Sequence, residues 1–325
     1  MKGLLGRVIL GVVAGVAVYV GFSIWANARA VGAALAHFSW GAAAAGLALA
    51  AGNYGIRWAR WEYYLRRLGL RLAFRDSALV FLSGFALTVT PGKLGEAVKA
   101  LLLRQSHEIP AARTAPIVVA ERITDLLALL LLALGGVFTF HIDRRFLGAG
   151  AIAVGLVLAV IGSESLAERL FALTERVPRA ARFVPKLREF HGAATTLLRP
   201  GPLVVTTALS VGSWFLECLA FWVVVRGFPG ALLGLQAATF IYAAMTVAGA
   251  LSFLPGGLGV TEAGMLALLG TLGTGIGRGT AAAATFLTRA CTLWFAVAIG
   301  LCALTAYSRR FAGARPPEFP PAPDV

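Results

Sequence analysis

The sequence predicts an all-α fold: a polytopic membrane helix bundle with inverted repeats and two re-entrant or broken helical hairpins. Three observations predict it. Of the 325 residues 58% are hydrophobic and only 14% charged, with a mean hydropathy of +0.80, whereas a soluble domain carries about a quarter charged residues to dress its surface. Apolar runs recur at a length suited to crossing about 30 Å of hydrocarbon. Two further apolar segments are interrupted at their centres by proline and glycine and are similar to each other. Together these exclude a soluble cytosolic enzyme, a disordered chain and a DNA-binding domain. The 38 glycines fit the same class, because small residues let membrane helices approach closely.

The long runs lie at 5–25, 38–56, 114–138, 147–162, 202–225 and 279–303. The first is too long and uninterrupted for an ordinary signal peptide and reads as a spanning helix, with cleavage near 26–30 as the alternative. After the second, residues 57–75 carry Arg57, Arg60, Arg66, Arg67, Arg71 and Arg75 among Trp58, Trp61, Tyr63 and Tyr64. That mixture predicts an interfacial anchor on the cytoplasmic face, with the aromatic rings at headgroup level. Residues 164–199 hold seven basic and four acidic residues, with Pro178 and Pro185; they read as amphipathic helices on the cytoplasmic surface. With the N-terminus, 57–75, 104–113, 164–199 and the tail inside, 20 basic residues face the cytoplasm and 5 the opposite side. The positive-inside rule therefore puts both termini in the cytoplasm of a multi-pass cell-membrane protein. Residues 1–305 read as one transmembrane domain, carrying the cytoplasmic segment 164–200, and 306–325 as a cytoplasmic Pro-rich tail.

The broken segments are 76–104 and 233–270. Pro91, Gly92 and Gly95 interrupt the first; Pro255, Gly256, Gly257 and Gly259 interrupt the second. Halves of 10–14 residues are too short to cross the hydrocarbon, which favours hairpins or discontinuous helices. In the second, the first arm is long enough to span, so a full span followed by a short helix stays open there. TPGKLGEA at 90–97 aligns with LPGGLGVTEA at 254–263, and AERITDLLALLLLALG at 120–135 with LTRACTLWFAVAIG at 287–300. Glu96 then stands 26 residues before Arg122, and Glu262 27 before Arg289. The topology makes the two copies inverted, a plan found where a central site is exposed alternately to either side.

Glu96, Glu121, Arg122, Asp125, Glu217, Glu262 and Arg289 fall in or beside apolar segments. Each would cost about 2.5–3.5 kcal/mol at a helix centre facing lipid, so each should face the interior. Glu121 and Asp125 share a helix face at i, i+4 and repel unless a cation lies between them. Two readings stand side by side. Arg122 with Asp125 and Arg289 with Glu262 are structural ion pairs; or Arg122 and Arg289 bracket an anionic group such as a lipid phosphate, which the arginine fork suits. Helix N-termini just after the two breaks also favour an anion, while Glu96 and Glu262 there are equally placed to cap those N–H groups. Lys93 has no counterpart in the second copy, where Gly257 stands. The scattered Cys218, Cys291 and Cys302, and the isolated His37, His107, His141 and His191, lack metal-ligand spacing. No metal and no cofactor is expected, and no nucleophile or nucleotide loop supports a catalytic set.

TPGKLGEAVKALLL at 90–103, AERITDLLALL at 120–130 and LSFLPGGLGVTEAG at 251–264 resemble, in this order, the flippase-like membrane family named after the transmembrane domain of lysylphosphatidylglycerol synthase. The resemblance covers roughly residues 5–305. It implies a lipid-translocating domain, which in bifunctional synthases moves aminoacylated phosphatidylglycerol to the outer leaflet; stand-alone relatives are linked to hopanoid or polyprenyl-linked sugar pathways. Pro91, Gly92, Lys93, Gly95 and Glu96 match the first motif, Glu121, Arg122 and Asp125 the second, and Pro255, Gly256, Gly257, Gly259 and Glu262 the third. About 20 residues follow the last span, too few for the synthase domain, so a stand-alone member that is not an enzyme is expected. The implied partners are membrane lipids with an anionic headgroup, not nucleic acid, with a homo-oligomer or a separate lipid-modifying enzyme left open. The alternative reading is a non-transporting accessory, or a membrane enzyme using Glu96, Glu121 or Asp125 as acid or base in lipid or lipid-linked glycan biosynthesis.

Overall fold

The computed structural model describes residues 28–90, 96–140, 145–176 and 181–311. The first apolar run, the tail beyond 311, and Pro91, Gly92, Lys93 and Gly95 lie outside the described residues. Every regular element among them is helical, apart from an isolated antiparallel bridge between Leu232 and Thr274. Helix α1 (Ala28–Ala36) meets α2 (Trp40–Arg67) at 90°. The first broken segment follows: α3 (Phe74–Ser83), a 3₁₀ turn (Gly84–Leu87) and α4 (Val98–His107). Next come α5 (Ala111–Thr139), α6 (Arg145–Gly162), α7 (Glu164–Glu175), α8 (Val184–Leu197) and α9 (Pro200–Arg226). The second broken segment is α10 (Leu235–Leu251), a 3₁₀ turn (Pro255–Gly257) and α11 (Val260–Leu272). The chain closes with α12 (Arg278–Arg289), a π turn (Ala290–Trp294) and α13 (Phe295–Arg310), which runs past the expected domain boundary at 305.

By length and composition, α9 and the 33-residue run from Arg278 to Arg310 can cross a membrane, and the bent pair α1–α2 passes as a third span. At 29 residues α5 is as long, but its middle carries Glu121, Arg122 and Asp125. Lipid tails are as apolar as leucine, so close packing and polar contacts hold such helices together. Two apolar cores do this. One joins α5, α9, α10, α11 and α12 around Trp214, Phe221, Ile241 and the small residues Ala281–Ala284. The other joins α2, α3, α4, α5, α8 and α13 around Trp61, Tyr64, Phe81 and Leu103. Helix α5 enters both, with Ile117 and Ala120 in one and Ala128 and Leu129 in the other. Its charged turn therefore falls at the seam.

The structure corrects the reading of residues 57–75. The second span does not end at Ile56 but continues to Arg67 as a single helix, and Arg57, Arg60, Trp61 and Tyr64 are buried. Their i, i+3, i+4, i+7 spacing puts them on one stripe facing α5 and α9. Only part of the stretch, including Arg66 and Arg67, meets the exterior. The segment 164–200 forms helices as expected: α7 exposes Leu166, Leu170 and Leu173, while α8 buries Ala193, Ala194 and Leu197. Cys218 and Cys291 are buried and Cys302 is exposed.

In both broken segments the helix after the break packs against the one before it. In the second, Gly256, Gly257 and Gly259 have φ of 62°, 67° and 90°, a left-handed region that glycine enters without steric penalty and that no helix can run through. Thr261 Oγ1 of α11 then donates to the Met245 carbonyl of α10 at 3.3 Å. In the first, Gly84 lies against the aliphatic stem of Lys99. The second break meets the residues just before the first: a Cβ on Gly256 would stand 3.5 Å from Val89, and Val89 clusters with Leu258, Leu293 and Val297.

Gly300 of α13 lies so close to the first segment that a Cβ there would sit 2.1 Å from the Ala86 backbone nitrogen. Backbone cannot yield as a side chain does, so Gly300→Val should destabilise by at least the upper part of the ~1–3 kcal/mol typical of overpacking. Gly192 has nothing within 4 Å of its Cβ position, and Gly192→Ala should raise stability by about 0.5–1 kcal/mol through helix propensity. Equilibrium unfolding in mixed micelles checks both; equal stabilities for the two variants would contradict the packing described.

Candidate functional site

The site is assembled where α2, α4 and α5 bring their charged residues to the seam between the two cores. Arg60, buried in the C-terminal third of α2, donates Nη1 to Asp125 Oδ1 at 2.6 Å and to Thr124 Oγ1 at 3.2 Å, and also to the Ser210 hydroxyl of α9. Lys99, in the first turn of α4, donates to Glu121 Oε2 at 2.5 Å. Its ammonium also stands over the rings of Trp61 and Phe81, at 4.9 and 5.6 Å, a placement that favours a desolvated cation. Arg122 Nη2 reaches Glu96 Oε2 at 2.9 Å and Asp125 Oδ2 at 3.2 Å. Arg57 Nη2 stands 3.6 Å from the same Glu96 oxygen. The like charges of Glu121 and Asp125 are thus separated by giving each its own cation.

The second segment repeats the pairing in a smaller form. Arg289 Nε donates to Glu262 Oε1 at 2.7 Å and Nη2 to the Gly256 carbonyl at 2.7 Å. Glu262 Oε2 accepts from the backbone N–H of Gly259 at 2.7 Å. One carboxylate therefore caps α11, satisfying an otherwise orphaned N–H, and holds the arginine that grips the break. In each segment the glutamate just past the break pairs with the arginine 26 or 27 residues later. The structural pairing Arg289–Glu262 is present, and Arg122 takes both Glu96 and Asp125.

Between the two clusters lies a cavity of about 290 Å³. Arg57, Arg122, Asp125, Glu217, Arg289, Tyr54 and Tyr242 supply its ionisable lining, Thr88 and Thr90 line it just before the first break, and Gly256 and Gly257 bring the second break to its wall. Tyr242 donates to Glu217 Oε2 at 2.6 Å. Leu251, Phe253 and Leu254 also line the cavity and are exposed on the outside of the bundle, so its mouth is apolar. Phe253 holds a φ of 54° there, a strained backbone for a bulky residue.

Of the residues singled out from the sequence, Arg122, Asp125, Glu217, Arg289, Gly256 and Gly257 line the cavity. Glu96, Glu121 and Glu262 are buried behind the cations they hold. Pro255 and Gly259 shape the second break without lining the cavity. Lys93, Pro91, Gly92 and Gly95 lie outside the described residues. Sequence reasoning missed Arg57, Arg60 and Lys99. The signal for the first two was the i, i+3 spacing with Trp61 and Tyr64, which marks a buried helix face.

Removing one partner of a buried ion pair typically costs about 3–5 kcal/mol, while replacing both by apolar residues is often neutral. Lys99→Met alone should therefore destabilise the protein by about 3–5 kcal/mol, and Lys99→Met with Glu121→Leu should recover at least half of that loss. The measurement is unfolding in mixed micelles; a single-variant loss under about 1 kcal/mol would show that the pair is not desolvated.

A UPF0104 membrane protein of Methanothermobacter thermautotrophicus is 25% identical over 272 residues, covering 75% of this chain and 79% of the relative. The match to a family description is longer still and includes both broken segments and every charged residue described above. Over residues 12–300 the chain matches the lysylphosphatidylglycerol synthase TM region, and it belongs to that family of membrane proteins.

Proposed function

We propose that the protein translocates an anionic or lipid-linked substrate between membrane leaflets, of the phospholipid, aminoacyl-phospholipid, hopanoid or polyprenyl-phosphate type. The observation that carries this reading is the cavity itself, with arginines of α2, α5 and α12 on its wall and an apolar mouth at Leu251, Phe253 and Leu254. A headgroup needs a polar, cationic path, because a charge at the bilayer centre is costly. Its acyl or prenyl chains need lipid contact throughout. A cavity that is cationic inside and apolar at its mouth meets both needs at once. Arginine serves the first because its rigid fork bonds two phosphate oxygens and does not deprotonate.

In this reading the broken segments are inverted copies whose alternative packings open the cavity to one leaflet and then the other. The protein resides in the cell membrane with both termini cytoplasmic. Setting aside the buried Arg57 and Arg60 leaves 18 of the 20 basic residues counted inside, against 5 outside, so the bias still supports that orientation. An enzymatic role would need Glu96, Glu121 or Asp125 available as an acid or base, and a lysine or arginine holds each of them.

The test uses purified protein in liposomes with headgroup-labelled anionic, aminoacylated or polyprenyl-linked lipid in one leaflet. A charge-assisted hydrogen bond contributes about 1.5–3 kcal/mol, so Arg122→Gln should slow exchange by about 10- to 100-fold. Arg289→Gln should slow it as well and should also lower stability, since it releases the Gly256 carbonyl. Arg182→Gln with Lys186→Gln, on the exposed face of the cytoplasmic segment, should change the rate less than about 2-fold. Equal exchange by wild type, both arginine variants and empty liposomes would reject translocation.

A further inference from the structure

We infer that Arg57 is the principal seat of the substrate's phosphate in the cavity, with Arg122 and the Thr88 hydroxyl completing the seat. This deepens the translocation reading and rests on it for the lipid nature of the ligand. The argument begins from what each buried cation already holds. Arg60 is taken by Asp125, Thr124 and Ser210, Lys99 by Glu121, and Arg289 by Glu262 and the Gly256 carbonyl. Arg57 is different. Arg60 also leaves Nε and Nη2 unbonded, but it is hydrogen-bonded to Asp125 and does not line the cavity, whereas Arg57, 5% exposed, lines it with its Nε and Nη2 unbonded. Its nearest carboxylate oxygen, on Glu96, is 3.6 Å away, too far for a hydrogen bond.

Three further observations point the same way. Thr88, 5% exposed and also on the cavity wall, has a hydroxyl without a partner. Arg122 Nε is likewise unbonded, and its side chain is 27% exposed to the cavity side. In this cluster four cations, Arg57, Arg60, Lys99 and Arg122, face three carboxylates, Glu96, Glu121 and Asp125. Among the described residues Glu217 on the same cavity wall is a fourth carboxylate but holds no cation, and Arg57 has the loosest pairing of the four cations. Buried donors left unbonded are costly, so a group that satisfies several of them at once binds strongly. The Phe85 ring, 5.1 Å from the guanidinium carbon, supports the flat face of Arg57 and leaves the N–H edges for the ligand.

Donors from two guanidinium groups and a hydroxyl suit the several oxygens of a phosphate. The carboxylates on the wall confine it. Asp125 is neutralised by Arg60 and Arg122, whereas Glu217, held by Tyr242 and without an ion pair among the described residues, repels an anion from its side. Arg289 then acts as a positioning residue for the second break.

The test is direct binding to the purified full-length chain in detergent. The probes are dihexanoylphosphatidylglycerol, neutral dihexanoylglycerol, glycerol phosphate and inorganic phosphate. Wild type should bind the anionic lipid more tightly than the neutral one. Arg57→Gln should weaken that binding by about 10-fold or more, while Arg57→Lys, which keeps the charge and loses the fork, and Thr88→Val should each weaken it by about 3- to 10-fold. Arg182→Gln should bind as wild type does. Wild-type affinity in Arg57→Gln, or equal binding of anionic and neutral lipid, overturns the assignment. If Arg57→Gln does not elute as a folded species, Arg57→Lys and Thr88→Val decide, and unchanged affinity in both overturns it. Inorganic phosphate or glycerol phosphate bound as tightly as the lipid would uphold Arg57 as a phosphate seat while counting against lipid translocation. Exchange that depends on Arg122, with binding indifferent to Arg57, would do the reverse.

Discussion

A carboxylate enclosed by a membrane bundle must find its counter-charge inside the protein, and Glu96 finds three. Arg57 comes from α2, Lys99 from α4 and Arg122 from α5, at 3.6, 4.0 and 2.9 Å. Each of those cations is drawn from a different element, so satisfying this one group fixes the relative placement of three helices. Lys99 and Arg122 then bring in Glu121 and Asp125, and Asp125 brings in Arg60. Removing any member leaves a desolvated charge behind, which is far costlier than never having buried it. The seam between the two apolar cores is therefore held by electrostatic closure, where shape matching alone would let small-residue helices slide.

The second segment reaches the same end more economically. Glu262 has one cation, Arg289, and uses its other oxygen to cap its own helix. The break is held by a guanidinium bonded to the Gly256 carbonyl. One side of the cavity is thus a charge network with donors to spare, and the other a closed clasp. That asymmetry means that the matched glutamate–arginine spacing of the two segments does not make them chemically equivalent. It also leaves the most loosely paired guanidinium of the first side, that of Arg57, on α2 and outside both motifs.

Much of this was legible before any coordinates. Pro255, Gly256, Gly257 and Gly259 announced a break because their residue types suit a conformation that helices exclude, and positive φ at all three glycines is what the chain adopts. Arg122 with Asp125, and Arg289 with Glu262, were legible because charge in an apolar run needs a partner, while Glu96 was marked only by its recurring distance to Arg122. Arg57 and Arg60 were not, because six arginines after an apolar run look the same whether they meet headgroups or other helices. What distinguishes them is the neighbour: α9 supplies Ser210, and a Ser213 carbonyl for Asn53, and α5 supplies Asp125. Those contacts span 65 to 160 residues of sequence, beyond the reach of any local pattern. Lys99 was hidden for the same reason, since its carboxylate sits on the next helix but its aromatic cradle comes from Trp61 and Phe81.

The run from Arg278 to Arg310 is pinned at two places. Arg289 grips the second break at Gly256, and Gly300 lies against the backbone of the first segment at Ala86. At 1.5 Å per residue the two points are about 16 Å apart along one axis. A stiff rod clamped at both points would weld the segments into a single body. The π turn at Ala290–Trp294 falls between the clamps, and its wider, less regular hydrogen bonding makes it the softest part of the rod. The least regular hydrogen bonding of this run thus stands between its two points of attachment, so a bend there would alter the spacing of the two segments without breaking either contact.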